Sequence, residues 1–150
     1  MTAAISNNSV LSPSGLCKTF DCAAEGYGRG EAINAVYIKP LDDALQQGDP
    51  IRAIIRATGL NCDGRTTSIS APRGEAQESL IRRTYEKAGI ADISETGFFE
   101  CHGTGTSAGD VAETLAVARL FEKKGVYIGS VCLFPFYRFP LWLLLIFAHE

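Results

Sequence analysis

The sequence predicts an α/β domain with elements in the order β-β-α-β-α-β. Two apolar, β-prone runs, residues 32–40 and 51–60, lie close together in the first half. Two segments of helical periodicity follow, over 75–90 and 110–125, and each leads into a short apolar run, 96–104 or 126–131. Strands alternating with helices in this way make a sheet with parallel neighbours.

Taken in order, residues 1–16 are small and polar, with turn chemistry at Ser12-Pro13-Ser14-Gly15. "CKTFDCAAEGYGRGEA" (17–32) is glycine-rich and lacks a period, so it reads as a shaped loop. The two apolar runs come next and read as neighbouring strands; "LDDALQQGD" between them has room for one short helical turn. In the second run Ile51, Ala53, Ile55 and Ala57 share one face of a strand, and Arg52, Ile54, Arg56 and Thr58 the other. A loop over 61–74 leads to the first helix. There Ala76, Leu80, Ile81, Tyr85 and Ala88 form an apolar stripe, Glu78 and Arg82 an i,i+4 pair, and Gly89 a stop.

The third strand, "TGFFECHGT", ends in a histidine. Cys101 and His102 are adjacent, so on a strand they point to opposite faces and cannot form a dyad; Cys101 reads as core. Gly103 and Gly105 allow a sharp turn and close approach of a ligand, and Thr104 and Thr106 put hydroxyls on it. Two readings of His102 stand side by side: a group facing a ligand at the carboxyl end of an α/β strand, or a histidine held in local hydrogen bonds. "GTGTSAG" is not a dinucleotide or P-loop motif, because its glycine spacing differs and no lysine follows. Asp110 at the N-cap and Glu113 at N3 would form a capping box for the next helix.

Charge and cysteines narrow the function classes. The formal charge is -3 in 150 residues, so there is no general attraction to nucleic acid. The five cysteines are scattered without ligand spacing, which favours reduced thiols over zinc or disulfides. No secretory signal is visible, and a cytoplasmic location is expected. After Val131 the chain turns almost wholly apolar; Pro135, Arg138 and Pro140 break that run too often for a membrane span to be expected.

These residues resemble the β-ketoacyl synthase (ketosynthase) domains of polyketide and fatty acid synthases. "ECHGTGTSAGDVAE" is similar to that family's [EAC]HGTGTxxGDxxE segment and "CKTFDCAAEGYGRGEA" to its CKxFDxxAdGYxRGEG segment. "IRATGLNCDGRT", "QESLIRRTYEKAGI" and "KGVYIGSV" fall in the same order, and the wording looks most like fungal highly reducing type I polyketide synthases. The resemblance implies a partial thiolase-like fold, layered αβαβα. Residues 1–131 would hold the end of its N-terminal half and the start of its C-terminal half, and 132–150 an apolar tail foreign to the family.

The implied activity is that of an acyltransferase: decarboxylative Claisen condensation of acyl and malonyl thioesters. Those substrates ride the phosphopantetheine arm of an acyl carrier protein; no cofactor or metal is bound directly, and the family acts as a homodimer. By this resemblance His102 is the first of two histidines that hold the thioester oxygen, and Thr104 and Thr106 line the phosphopantetheine path. Gly103, Gly105, Asp110 and Glu113 support them, and Glu113 lies near an active-site lysine.

The resemblance also shows what this chain lacks. The family's nucleophilic cysteine lies in a DTACSSS-like segment upstream of the part matched here. Cys132 stands at the lysine position, and "LFPFYRFPLW" replaces the segment of the second histidine; His149 does not take its role. The chain alone is therefore expected to be inactive, and with sheets only partly represented, prone to aggregate or stay molten. A noncatalytic remnant that binds a carrier protein or pairs with another ketosynthase is the alternative. Val131-Cys132 is compatible with GTATGT, a sequence often found at fungal intron starts; the expectation is that the tail is translated intron and Met1 an internal methionine.

Overall fold

The computed structural model describes residues 10–66 and 71–130. Its elements are α1 (Leu41–Gln47), α2 (Gly74–Lys87), a 3-10 turn (Ile93–Glu95), β1 (Phe98–Glu100), α3 (Ser107–Phe121) and β2 (Tyr127–Gly129). The apolar tail lies outside the described residues.

The second half forms the β-α-β unit that the periodicity predicts. β1 and β2 pair in parallel, with Phe98 opposite Tyr127, Phe99 opposite Ile128 and Glu100 opposite Gly129. The ladder runs one bond further, Cys101 donating to the Gly129 carbonyl at 2.7 Å. α3 makes the crossover and packs against α2, because both carry an apolar stripe that must leave water. Leu80, Ile81, Thr84 and Tyr85 of α2 are buried, as are Ala116, Val117, Leu120 and Phe121 of α3. The Phe121 ring sits edge-on to Tyr85 at 6.4 Å and to Phe99 at 5.9 Å, in the offset geometry aromatic quadrupoles favour. The Tyr85 hydroxyl finds Thr96 Oγ1 at 2.8 Å. On the outer surface Glu78 joins Arg82 at 2.8 Å, as its spacing predicts, and also Arg119 of α3 at 3.6 Å.

The first half is irregular. The expected turn at 12–15 is present: Gly15 N–H donates to Ser12 O at 3.1 Å, and Gly15 takes φ 72°. α1 realises the short helix between the apolar runs and ends on left-handed Gly48.

The two runs predicted as the first strands, 32–40 and 51–60, form no ladder among the described residues. A strand exists only against a neighbour, and here other bonds prevail. Arg56 donates to Ala88 O at 2.9 Å, Lys87 to Thr58 O at 3.3 Å and Asn61 to Ala76 O at 2.9 Å, strapping 56–61 along α2. Gly59 lies so close to Thr84 that a Cβ there would collide with its hydroxyl. The expected alternation is lost too: Ile51, Ile54 and Ile55 are all exposed, at 40, 45 and 44 %.

Candidate active site

The site is the turn that leaves β1. Cys101 is 4 % exposed, a member of the core cluster, and burial pushes its thiol up to about 12, helped by the charges of Glu113, Glu100 and Asp110. His102, one residue on, is exposed. The strand's period of two separates an inert thiol from an accessible imidazole, as the sequence predicts.

Behind the imidazole the backbone is fastened on several sides. The Glu113 carboxylate, reaching back from α3, accepts the N–H of His102 at 2.6 Å and of Gly103 at 2.9 Å. Asp110, 6 % exposed, accepts the N–H of Gly105 at 3.0 Å and of Phe20 at 2.7 Å. The Ser130 hydroxyl, just past β2, donates to His102 O at 3.1 Å. Buried Thr19 donates to Gly103 O, and Gly26 N–H donates to Gly105 O at 2.9 Å. Each carboxylate thus accepts two backbone amides, four hydrogen bonds that tie the turn to α3 and to the 17–28 loop.

The glycines are required by this closeness. Gly103 (φ 53°) passes so near the 17–28 loop and Ser130 that a Cβ would lie 2.5 Å from both Thr19 Cγ2 and Ser130 Cβ. Gly105 (φ 74°) crosses Lys18, whose amide nitrogen would be 2.9 Å from a Cβ. Phe20, at φ 60°, is the one non-glycine residue with positive φ among the described residues, and its amide is the one Asp110 holds.

The capping box expected of Asp110 and Glu113 is not how α3 begins. The helix starts earlier, at Ser107, and its N-cap is Thr106, whose Oγ1 accepts Gly109 N–H at 3.2 Å. That frees both acids to turn towards the histidine loop. Thr104 and Thr106 share a hydroxyl–hydroxyl bond of 2.9 Å, so the turn's two threonines stand together, half-buried. All seven residues singled out in the sequence, His102 to Gly105 with Thr106, Asp110 and Glu113, therefore meet at one place. Sequence reasoning missed Thr19, Phe20, Gly26 and Ser130, which join the turn from 84 and 28 residues away in the cases of Thr19 and Ser130. Among the described residues no group of three or more His, Cys, Asp or Glu is placed to hold a metal ion.

By its fold the chain is similar to solved ketosynthases of the thiolase-like class. The ketosynthase from module 6 of the bacillaene synthase of Bacillus subtilis 168 superposes with a TM-score of 0.76 at 36 % identity, over 87 % of this chain and 24 % of that one. The ishigamide ketosynthase/chain length factor gives 0.77 at 28 % identity, over 86 % of this chain and 31 % of the other. The family model "Beta-ketoacyl synthase, C-terminal domain" matches residues 52–132, and the chain belongs to that family. It is 63 % identical over 131 residues to the highly reducing polyketide synthase lcsB of Purpureocillium lilacinum, and 57 % to sphB of Aspergillus fumigatus. Each alignment covers 87 % of this chain and 5 % of the relative's length.

Proposed function

We propose that this chain carries the histidine turn of a polyketide-type ketosynthase and serves decarboxylative Claisen condensation as part of such a domain. In that reaction a malonyl thioester loses carbon dioxide. The resulting enolate carbon attacks an acyl thioester held on a cysteine, and the thiolate leaves as the new carbon–carbon bond forms. Negative charge gathers on thioester oxygen, and an imidazole N–H from His102 would donate to it. A donor of this kind is worth about 2.7–4 kcal/mol of barrier when it is already oriented.

The observation that carries the reading is the fastening of the turn. His102 is exposed while its own N–H and carbonyl, and the N–H of Gly103, are held by Glu113 and Ser130. Fastening of this kind fixes the backbone from which the imidazole projects. Thr104 and Thr106 stand beside it at the mouth of the turn, suited to hydrogen-bond the amides of a phosphopantetheine arm presented by a carrier protein.

The sequence holds no segment like the family's DTACSSS stretch, so this chain alone is expected to form no acyl-enzyme. The buried Cys101 thiol faces the core, on the other side of the strand. Incubating the purified chain with acyl and malonyl thioesters and measuring β-ketoacyl product tests this: no turnover above background is expected, and measurable turnover would overturn it.

A further inference from the structure

The peptides of the histidine turn are not held equally. The one joining His102 to Gly103 is bonded at both ends, its carbonyl by Ser130 and its N–H by Glu113. The next but one, Thr104–Gly105, is held through its N–H by the Asp110 carboxylate, and Gly105–Thr106 through its carbonyl by the backbone of Gly26. Between them the Gly103–Thr104 peptide has a single bond. Its carbonyl accepts from the Thr19 hydroxyl, and its N–H has no acceptor among the described residues. Thr19 is 5 % exposed and Gly103 is buried, so that bond lies inside the protein. A trans peptide sets its carbonyl and N–H on opposite sides. With Gly103 O turned to Thr19, the Thr104 N–H faces away from the 17–28 loop. Reversing the peptide would exchange the two and put a carbonyl where the N–H stands. Gly103 removes the steric barrier to that reversal, since a residue without a Cβ tolerates the change of ψ it requires. The hydroxyl of Thr19 decides against it.

We propose that Thr19 is a positioning residue for the condensation. Through the Gly103–Thr104 peptide it keeps the negative end of a backbone dipole off the side where thioester oxygen gathers charge. This rests on the role proposed above for His102, which is one residue from that peptide. A carbonyl facing the oxygen would repel the charge that the imidazole is there to receive, whereas an N–H does not. Thr19 itself reaches no substrate: it acts through the backbone of the turn, 84 residues along the chain. Its methyl packs there too, since a Cβ on Gly103 would lie 2.5 Å from Thr19 Cγ2. Bond and packing are therefore separable by substitution at this one position.

The kinetic test uses the ketosynthase domain of lcsB with its aligned segment replaced by residues 10–130 of this chain. Thr19→Val keeps the side chain's shape and removes the donor, so kcat should fall about tenfold, the worth of one such bond, with KM unchanged. Thr19→Ser keeps the donor and should retain most of the rate. A second readout needs no activity: in the full chain, the Gly103 carbonyl 13C resonance should move upfield in Thr19→Val and stay in place in Thr19→Ser. Parent kcat in the valine domain would overturn the proposal. Equal losses in the valine and serine domains would overturn it in favour of packing alone, as would a Gly103 resonance that neither substitution moves. His102→Ala, measured alongside, separates the two readings. If it condenses at the parent rate while Thr19→Val is slow, the imidazole's role fails and the peptide's stands. If it is slow while Thr19→Val is not, the proposal for Thr19 alone fails.

Discussion

Burial pushes the Cys101 thiol up to about 12, and the charges of Glu113, Glu100 and Asp110 add to the shift. At pH 8 such a thiol keeps its proton and is a poor nucleophile. Alkylation followed by mass spectrometry should therefore label exposed Cys22 and Cys62 long before Cys101; labelling of Cys101 at the rate of Cys22 would contradict its burial. The sign for stability follows from the same shift. The folded thiol holds its proton above the ordinary thiol value of 9.0. Between about pH 9 and 12 the unfolded chain has therefore lost a proton that the folded chain keeps, and stability falls as pH rises. Asp110 gives a second prediction at this scale. In Asp110→Asn one of the two amides it accepts must face an N–H instead of an oxygen. Losing one such bond is worth about 1–3 kcal/mol, so hydrogen exchange at Phe20 or Gly105 should quicken about ten- to a hundredfold. Unchanged protection at both amides would show that the carboxylate does not hold the turn.

At the scale of elements, what the sequence could reveal depended on how local its causes are. β1, α3 and β2 were legible because their periods are written in consecutive residues, and the parallel pairing follows from the crossover. The start of α3 was misjudged because Asp110 is as good a cap as Thr106 by type. Only the fold shows that Phe20 and Gly105 occupy the Asp110 oxygens. The clamp on the turn was half legible: Glu113 lies eleven residues from His102, whereas Thr19 comes from 84 residues before Gly103. No spacing rule reaches that far, and the motif "CKTF" marks its residues without saying what they touch. Gly103 and Gly89 separate backbone freedom from packing, since both have positive φ (53° and 69°). A Cβ on Gly89 would meet nothing within 4 Å, whereas on Gly103 it would meet Thr19 and Ser130. In urea unfolding followed by circular dichroism, Gly89→Ala should cost about 1 kcal/mol and Gly103→Ala about 3 kcal/mol. Equal losses would mean that the turn is not packed as described.

For the molecule as a whole, the distribution of apolar surface matters more than its total. One cluster, from Ile81 to Phe121, is buried between α2, α3 and β1, while Ile33, Tyr37, Leu60 and Tyr127 each leave 80 % or more of their surface in water. Parallel sheets are normally covered on both faces, and here Phe98 and Tyr127 remain exposed on the two-stranded sheet. The first two expected strands went unformed for the same reason: the described residues offer them no neighbouring strand. The chain should accordingly enhance 8-anilinonaphthalene-1-sulfonate fluorescence strongly, and Tyr37→Asp should reduce that signal. A chain that leaves the dye dark would contradict this distribution.

We propose that the exposed imidazole at residue 102, carried on the clamped turn, would hold thioester oxygen during condensation. The most direct measurement replaces the aligned segment in the ketosynthase domain of lcsB, 63 % identical over 131 residues, with residues 10–130 of this chain, and compares His102 with His102→Ala. Condensation should persist in the first and fall about 10²–10³-fold in the second, with the melting temperature unchanged. Condensation by the His102→Ala domain at the parent rate would rule out this role for the imidazole.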